Sequence, residues 1–369
     1  MISTNEHLHK SILFGMLLTA QLSVTVHVHL FAQPIYSASD YRFKHYDMSD
    51  GLASEHARDI VQDSLGFIWV LHNNGLSRYD GYTFKIYTYD PNDRMSMGPP
   101  LDGFLELDRS GSLWVVSNQG YQPDLQVTMT KYDRARDAFV KYYPNLQGAI
   151  GRAPCFDKNN RTIWIGSRGR GLFSFDILTG ETTNYFNMFR DSVVNLERHS
   201  PMEQRNAIWE ISDRDSILLL ATWRGLWQFD KKTKVFSYAK CHPADSSLFH
   251  NAAVLSIIES RYNDDLCFEI FDLGLIRARH DLSEKGEILV KGLPGPRWRG
   301  LKRDKQGIFW QTINEGLFSF DPEDGSLDTI KSNLEDAYSL RSNSLTGLTI
   351  DRDQNIWIAT MDRGISKLP

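Results

Sequence analysis

Seven units with the same order of apolar and polar residues follow one another along the chain. Each unit starts with a turn led by Asp, continues with an apolar strand that carries Trp or a substitute, and ends with Gly-Leu, an aromatic residue and Asp. The first unit reads Asp63-Ser-Leu-Gly66-Phe-Ile-Trp69, then Asn74-Gly75-Leu76 and Tyr79-Asp80-Gly81. A period of roughly 40 to 50 residues with strand-like content predicts a β-propeller.

Each unit is predicted to form four short antiparallel strands. In the first unit these strands are residues 57–62, 67–71, 76–79 and 83–87. Asp at the first position of the turn and Gly at the fourth, as at Gly66, are what a type I turn favours. Asn160 is an acceptable substitute for this glycine, whereas Ser216 and Gln354 are not. The tryptophans are predicted to pack between the blades as core residues.

The two ends of the chain predict how the ring closes. The seventh unit reaches Pro369 before an outermost strand, and the segment Phe43-Lys-His-Tyr46 resembles the outermost strand Phe84-Lys-Ile-Tyr87. Pairing residues 43–46 with the last blade would remove two exposed strand edges. We therefore expect an all-β fold, a single seven-bladed β-propeller of four-stranded antiparallel blades over residues 43–369, closed by this N-terminal strand.

The bulk composition narrows the class of protein. Of the 369 residues, 41% are hydrophobic and 24% are charged, which is typical of a soluble globular protein. The formal net charge of −5 argues against a nucleic-acid partner, which would favour a basic surface. Cys155, Cys241 and Cys267 form no CxxC pair, and the histidines of the mature region have no metal-binding spacing. No metal and no cofactor are therefore expected.

Residues 1–32 resemble an export signal, because a lysine precedes an apolar stretch that ends near a small residue. Three polar side chains interrupt this stretch, so a membrane anchor through residues 12–32 is the alternative to a cleaved signal. Residues 33–42 are then a leader before the propeller. The expected location of the propeller is the periplasm or the outside of the cell.

The opening of the repeat resembles the two-component regulator propellers, which form the periplasmic sensor region of hybrid histidine kinases in Bacteroides-type bacteria. The residues that carry this resemblance are Phe43-Lys-His-Tyr46, Asp50-Gly51-Leu52, the segment from Ile60 to Trp69, Gly75-Leu76, Arg78-Tyr79-Asp80-Gly81 and Phe84. Weaker copies extend it over residues 43–369. The resemblance implies a first propeller that senses glycans or their breakdown products.

The chain is shorter than a typical member of that family. It shows no second membrane segment, no kinase nucleotide-binding glycines and no receiver pattern after the first propeller. We therefore expect a sensor part without its own kinase or transmembrane output. Its expected partners are an oligosaccharide or another small ligand, and either a signalling protein or a second copy of the chain.

Strand alternation assigns the turns to two ends of the ring. We call the end that carries the turns between second and third strands and the links between blades the mouth face, and we predict ligand recognition there. Trp223 can stack on a sugar ring, and Arg168 or Arg224 can clamp a carboxylate or sulfate, which suits an acidic oligosaccharide. Solvated turn residues are the alternative for each position. The candidate ligand-binding residues are His72, Asn73, Arg168, Arg170, Trp223, Arg224, Trp298, Arg299, Asn314, Glu315 and Arg363.

Two other functions stay open. Streptogramin lyases are propellers with a broadly similar repeat, and a site assembled from several blades needs no local motif. In that case His72 or His250 is the expected base, near Arg168 or Glu315. A propeller that docks another protein is the second alternative. No catalytic residue is assigned to the sensor.

Overall fold

The repeated pattern folds as seven four-stranded antiparallel sheets that follow one another around a ring. The computed structural model describes residues 41–99, 103–118, 127–147, 149–185, 207–259, 265–291, 301–313 and 315–369. The predicted all-β fold, the number of blades and the four strands of each blade are confirmed over these residues. The predicted signal and nearly all of the leader lie outside them.

The strands follow the order of the repeats, with the first strand of each blade innermost. Strand β1 (Lys44–Tyr46) precedes the first complete blade. The first three blades contain β2 (Ala57–Gln62), β3 (Ile68–His72), β4 (Gly75–Tyr79) and β5 (Phe84–Tyr87), then β6 (Gly103–Leu107), β7 (Leu113–Asn118), β8 (Val127–Asp133) and β9 (Ala138–Tyr142), then β10 (Ile150–Phe156), β11 (Thr162–Arg168), β12 (Leu172–Asp176) and β13 (Thr182–Tyr185).

The other four blades are built in the same way. They contain β14 (Ile208–Arg214), β15 (Ile217–Thr222), β16 (Gly225–Asp230) and β17 (Phe236–Tyr238), then β18 (Val254–Glu259), β19 (Asp265–Ile270), β20 (Gly274–Arg279) and β21 (Glu287–Lys291), then β22 (Lys302–Arg303), β23 (Phe309–Ile313), β24 (Gly316–Phe320) and β25 (Leu327–Ile330), and finally β26 (Leu345–Ile350), β27 (Ile356–Thr360) and β28 (Ile365–Leu368).

Helical structure is limited to short pieces in the described ranges. Helix α1 (Ser246–Asn251) lies in the link between the fourth and fifth blades, directly after a 3₁₀ turn at Pro243–Asp245. Another 3₁₀ turn at Met48–Asp50 follows β1. None of the helices described is long and apolar enough to cross a membrane.

The hydrophobic core consists of seven clusters, each of which lies between two successive blades. Between the first and second blades, Trp69 packs with Leu105 and Leu113. Between the seventh and first blades, Trp357 packs with Ile60, so the series of clusters closes on itself. Burying an indole removes roughly 150–250 Å² from water, or about 4–6 kcal/mol by area. The predicted core role of the tryptophans is confirmed.

Strand β1 supplies the fourth strand of the seventh blade, as predicted. It pairs antiparallel with β28, with Lys44 opposite Lys367 and Tyr46 opposite Ile365. The ring of Tyr46 stacks on Trp357, with centroids 5.6 Å apart. The two ends of the propeller sequence are therefore joined by both a hydrogen-bonded ladder and a buried aromatic contact.

The link before the seventh blade also holds β1 in place. The carbonyl of Tyr338, in that link, accepts a hydrogen bond from the backbone N–H of Phe43 at 2.7 Å. The link before the second blade does the same for an outermost strand that is continuous with its own blade, since the carbonyl of Met95 accepts from the N–H of Phe139 at 2.9 Å. The closing strand is therefore bound in the way that an ordinary fourth strand is bound.

The aspartate of the first turn binds the tryptophan of the strand that follows. In the first blade, Oδ2 of Asp63 accepts from Nε1 of Trp69 at 2.9 Å, while Oδ1 accepts from the backbone N–H of Leu65 at 2.8 Å. The carboxylate therefore shapes the turn and anchors the indole, a second role that sequence analysis missed. The same bond joins Asp108 to Trp114 at 3.2 Å, Asp304 to Trp310 at 2.9 Å and Asp351 to Trp357 at 2.7 Å.

The left-handed residue of this turn agrees with prediction at Gly66 and Asn160, which have φ of 95° and 53°. The prediction for Gln354 is wrong, because its φ is 70°. The Gln354 amide oxygen accepts a hydrogen bond from the N–H of Lys305 at 2.9 Å, and this bond to the preceding blade offsets the cost of the conformation. In the fourth blade Asp215, with φ of 58°, takes the left-handed position next to Ser216.

Replacing Asp351 by Ala should destabilise the protein. The change leaves the buried Nε1 of Trp357 without its acceptor, which costs about 2–3 kcal/mol of unfolding free energy. Urea unfolding followed by circular dichroism measures this loss. The control is Asp353→Ala, an exposed aspartate of the same turn, which should change the free energy by less than about 0.5 kcal/mol. Equal losses in the two variants would contradict the anchoring role.

Removing the closing aromatic contact should also be costly. Tyr46→Ala leaves a cavity against Trp357, and we expect a loss of about 3 kcal/mol in urea unfolding. Tyr82→Ala is the matched control, because Tyr82 is 92% exposed. Wild-type stability in Tyr46→Ala would show that the stability of the closed ring does not depend on this contact.

Candidate functional site

In each of three turns on the mouth face, a side-chain hydroxyl bonds to two backbone groups of the same turn. In the fourth blade, Oγ1 of Thr222 donates to the carbonyl of Gly225 at 2.8 Å and accepts from the N–H of Arg224 at 3.1 Å. Arg224 therefore occupies a fixed place just before the third strand. The same bonds are made by Ser167 to Gly171 and Arg170 in the third blade, and by Thr360 to Gly364 and Arg363 in the seventh.

The predicted ligand-binding residues differ in exposure. Arg170 and Arg363 are exposed at the tips of their turns, while Arg168, Trp223 and Arg224 are part-buried. Arg168 and Arg170 lie in the third blade, and Trp223 and Arg224 lie in the neighbouring fourth blade. Arg363 lies in the seventh blade, far from these two. Three predicted residues, Trp298, Arg299 and Asn314, lie outside the described residues.

His72 lies inside the first blade. Its side chain is fully buried, and Nε2 lies 3.0 Å from Oγ of Ser77. Burial lowers the pKa of His72 to about 4, so the ring is neutral near pH 7. His72 therefore supports its turn from within and does not present a proton acceptor on the mouth face.

Asn73 and Glu315 reach the surface but already have partners. Oδ1 of Asn73 accepts a hydrogen bond from the guanidinium of Arg58. Oε2 of Glu315 lies 2.7 Å from Nζ of Lys331, and this ion pair lowers the pKa of Glu315. Each side chain would have to give up a partner before it could bind a ligand.

β-bulges at the mouth end of inner strands turn extra residues toward the mouth face. The extra residue of the bulge is Arg58 in β2, Trp209 in β14, Leu255 in β18 and Thr346 in β26. A bulge of this kind redirects a side chain at the end of a strand. Sequence analysis missed Trp209, although the succession of Ile208 and Trp209 breaks the alternation expected of an inner strand.

Trp209, Trp223 and Phe271 form what we call the aromatic row, on the mouth face of the fourth and fifth blades. The rings of Trp209 and Trp223 are 6.4 Å apart between centroids and tilted by 54°. Those of Trp223 and Phe271 are 5.4 Å apart and tilted by 41°. Phe271 is 39% exposed, and the two tryptophans are part-buried. The row offers apolar ring faces at the mouth of the propeller.

Helix α1 lies against the turn that carries Trp223 and Arg224. A side chain at Gly225 would place its first carbon 2.3 Å from the carbonyl oxygen of Phe249, so only glycine allows this approach. The contact brings His250 beside the turn, although His250 lies in the link after the fourth blade and the turn lies between the second and third strands of that blade. Of the predicted residues, the structure therefore brings Trp223, Arg224 and His250 together.

The geometry of His250 does not suit a base that acts through Nε2. This nitrogen lies 3.2 Å from the carbonyl oxygen of Ala239, which can only accept, so Nε2 carries the proton. Sγ of Cys241 lies 3.8 Å from the same nitrogen. Burial raises the pKa of the Cys241 thiol, whereas a nucleophilic cysteine needs a lowered pKa. This pair therefore lacks an activated nucleophile.

The other two cysteines also have raised thiol pKa values, and the described residues offer no metal site. All three cysteines are free thiols, and burial raises the pKa of Cys155 to about 12 and that of Cys267 to about 11. No group of three or more His, Cys, Asp or Glu side chains in the described ranges is arranged to hold a metal ion.

A buried polar pair joins the fifth and sixth blades close to the aromatic row. Glu269, two residues before Phe271, is 4% exposed, and its Oε1 accepts from Nε2 of Gln311 at 3.1 Å. Burial raises the pKa of Glu269 to about 7, and the nearby carboxylate of Glu210 acts in the same direction. Oε1 of Gln311 is buried and has no donor among the described residues, and a protonated Glu269 can supply one.

Solved structures share this fold. The chain resembles the extracellular domains of the hybrid two-component systems BT3049 and BT4673 of B. thetaiotaomicron, as predicted. The TM-scores are 0.63 and 0.62 at 19% and 20% identity, over 89% of this chain and 42% and 40% of those domains. A streptogramin B lyase matches with a TM-score of 0.59 at 14% identity, over 89% of this chain and 97% of the lyase. Likeness at these identities establishes the fold.

One curated protein is similar in sequence over a short region. The chain is 42% identical over 59 residues to histidine kinase P4 of Formosa agariphila, which is 16% of this chain and 4% of that kinase. No protein-family model matches the chain. The chain thus spans a small part of the kinase and less than half of the two extracellular domains.

The raised pKa of Glu269 predicts a dependence of stability on pH. The folded state holds a proton on this group up to about pH 7, whereas the unfolded chain releases it near pH 4.5. Stability from this source is therefore present at low pH and is lost as the pH rises through 7. Glu269→Gln should be less affected, so its stability relative to wild type should increase from pH 5 to pH 8 by about 1–3 kcal/mol. Urea unfolding of both proteins at each pH measures the difference, and parallel profiles would contradict the assignment.

Proposed function

We propose that the chain is the ligand-sensing propeller of a two-component signalling system and that it recognises a glycan or oligosaccharide on its mouth face. The observation that carries the proposal is the aromatic row, which lies beside Arg224 on a fold shared with the extracellular domains of hybrid two-component systems. The proposal thus rests on two observations, a fold that is found in sensor domains and a surface that suits sugars.

The physical chemistry of sugars supports this use of the mouth face. A pyranose ring has an apolar face of C–H groups that stacks on Trp, while its hydroxyls bond to charged and polar side chains at the edge. Trp223 and Arg224 are adjacent on one turn, and α1 supports that turn from behind through the close approach at Gly225. A supported turn loses little conformational freedom on binding, which favours affinity.

The proposed sensor is exported and acts through a partner. Its predicted location is the periplasm or the outside of the cell, and the solved structures that it resembles are extracellular domains. The output is proposed to pass through a signalling protein or through association of two copies.

A propeller lyase is the second candidate, because the streptogramin B lyase shares the fold over 97% of its length. The geometry gives this function less support. His72 is buried with a pKa of about 4, and Nε2 of His250 is used as a donor to Ala239. A protein-docking propeller is the third candidate and would respond to neither substrate nor sugar.

A thermal-shift screen of the purified chain against a panel of neutral and acidic oligosaccharides tests the proposal. A ligand at 100 times its Kd should stabilise the protein by about 2.7 kcal/mol and raise its Tm, with no product detected by mass spectrometry. Trp223→Ala should remove the shift, whereas Tyr82→Ala, which changes an exposed aromatic residue at the opposite end of a blade, should keep it. Product formation would favour the lyase, and no shift with any sugar would leave the docking function.

A further inference from the structure

Arg168 is a part-buried cation without an acceptor among the described residues. Its Nε is buried and makes no hydrogen bond, and its other guanidinium nitrogens make no ion pair within the described ranges. This makes Arg168 different from other arginines with a buried unpaired nitrogen. Arg78, Arg134, Arg214 and Arg303 each have one such nitrogen, but each bonds to an acceptor through another nitrogen.

The side chain of Arg168 is directed toward the fourth blade. Alternate residues of a strand point to the same side, and Trp164 and Gly166, which share the parity of Arg168 in β11, both face that blade. A side chain at Gly166 would place its first carbon 2.8 Å from Cγ2 of Ile208. The next residue along β14 is Trp209, the first member of the aromatic row. Arg168 therefore lies on the side of the third blade that borders the row.

A part-buried cation that lacks a counter-ion is costly in an isolated protein. The protein has a formal net charge of −5, so its surface as a whole does not attract anions. Two acids are next to the row in sequence, Glu210 and Asp272. Oε2 of Glu210 accepts hydrogen bonds from the N–H of Ile257 at 2.8 Å and from the hydroxyl of Ser256 at 2.7 Å. Asp272 is exposed and follows Phe271 on the fifth blade, whereas Arg168 lies on the third. Among the described residues, the guanidinium of Arg168 therefore has no counter-ion, and an anionic ligand can supply one.

We propose that Arg168 and the aromatic row form a subsite for an anionic oligosaccharide, in which one sugar ring stacks on Trp223 and a carboxylate or sulfate of the ligand binds Arg168. This inference rests on the proposed function, since it assumes that the mouth face binds sugars. The carboxylate and sulfate share the chemistry that Arg recognises, namely two acceptor oxygens in one plane that match the guanidinium fork.

The decisive experiment compares ligands that differ only in charge. Binding of the purified chain is measured by calorimetry with a uronate trisaccharide and its methyl ester, and with a sulfated tetrasaccharide and its desulfated form. We expect each charged ligand to bind at least about tenfold more tightly than its neutral form, since a charge-assisted hydrogen bond contributes about 1.5–3 kcal/mol. The pair with the larger ratio identifies the anionic group. The advantage of the charged form should shrink as salt is added.

Matched variants assign the effect to the residues. Arg168→Gln should lower affinity for the charged ligand about tenfold and leave the neutral form unchanged. Phe271→Ala, at an exposed member of the row, should weaken both forms to a similar extent. Lys232→Gln removes an exposed cation from the same blade as Trp223 at the opposite end of the sheet, and it should change neither affinity. Unfolding midpoints of all variants show whether a loss of binding comes from misfolding.

The outcomes separate this inference from the proposed function. Equal binding of charged and neutral sugars, with Trp223→Ala still harmful, would overturn the anionic subsite and leave the glycan sensor standing. A charge preference that survives Arg168→Gln would overturn the role of Arg168. No binding of any sugar would overturn both proposals.

Discussion

The hydrogen bond between a turn aspartate and a buried indole is the interaction on which the regular blades depend. It joins the turn at one end of a blade to the core between blades, in the first, second, sixth and seventh blades. The third blade spaces Asp157 and Trp164 one residue further apart, and the fourth and fifth carry Leu219 and Cys267 in place of the tryptophan. The blades without this bond are those that hold Arg168 and the aromatic row. The first, second, sixth and seventh blades thus keep the regular repeat, whereas the sector formed by the third, fourth and fifth blades departs from it.

The same sector contains polar groups where other blades are apolar. Glu269 and Gln311 meet between the fifth and sixth blades, where Leu71 and Val115 meet between the first and second. A buried carboxyl near its pKa at neutral pH contributes less to stability than an apolar pair would. Glu269 is two residues before Phe271 in the chain, so this polar contact between blades lies next to the aromatic row.

The repeat was sufficient to predict the number of blades, the four strands of each blade and the closing role of residues 43–46, because all of these follow from local pattern and from the need to cover strand edges. The candidate site could be predicted only in part. Trp223, Arg224 and Arg168 were proposed from their residue types on glycine-containing turns, whereas Trp209 depends on a bulge and Phe271 on the approach of two blades. The burial of His72 and the pairing of Glu315 with Lys331 are tertiary facts that residue type does not encode.

The closure of the seventh blade has a topological consequence. Because Lys44 lies opposite Lys367 in an antiparallel ladder, the polypeptide enters and leaves the ring on adjacent strands at the same end of one sheet. Circular permutation, in which these ends are joined and the chain is reopened in another link, would keep every sheet four-stranded and make the seventh blade continuous. Several different orders of the blades along the chain would therefore give the same closed ring.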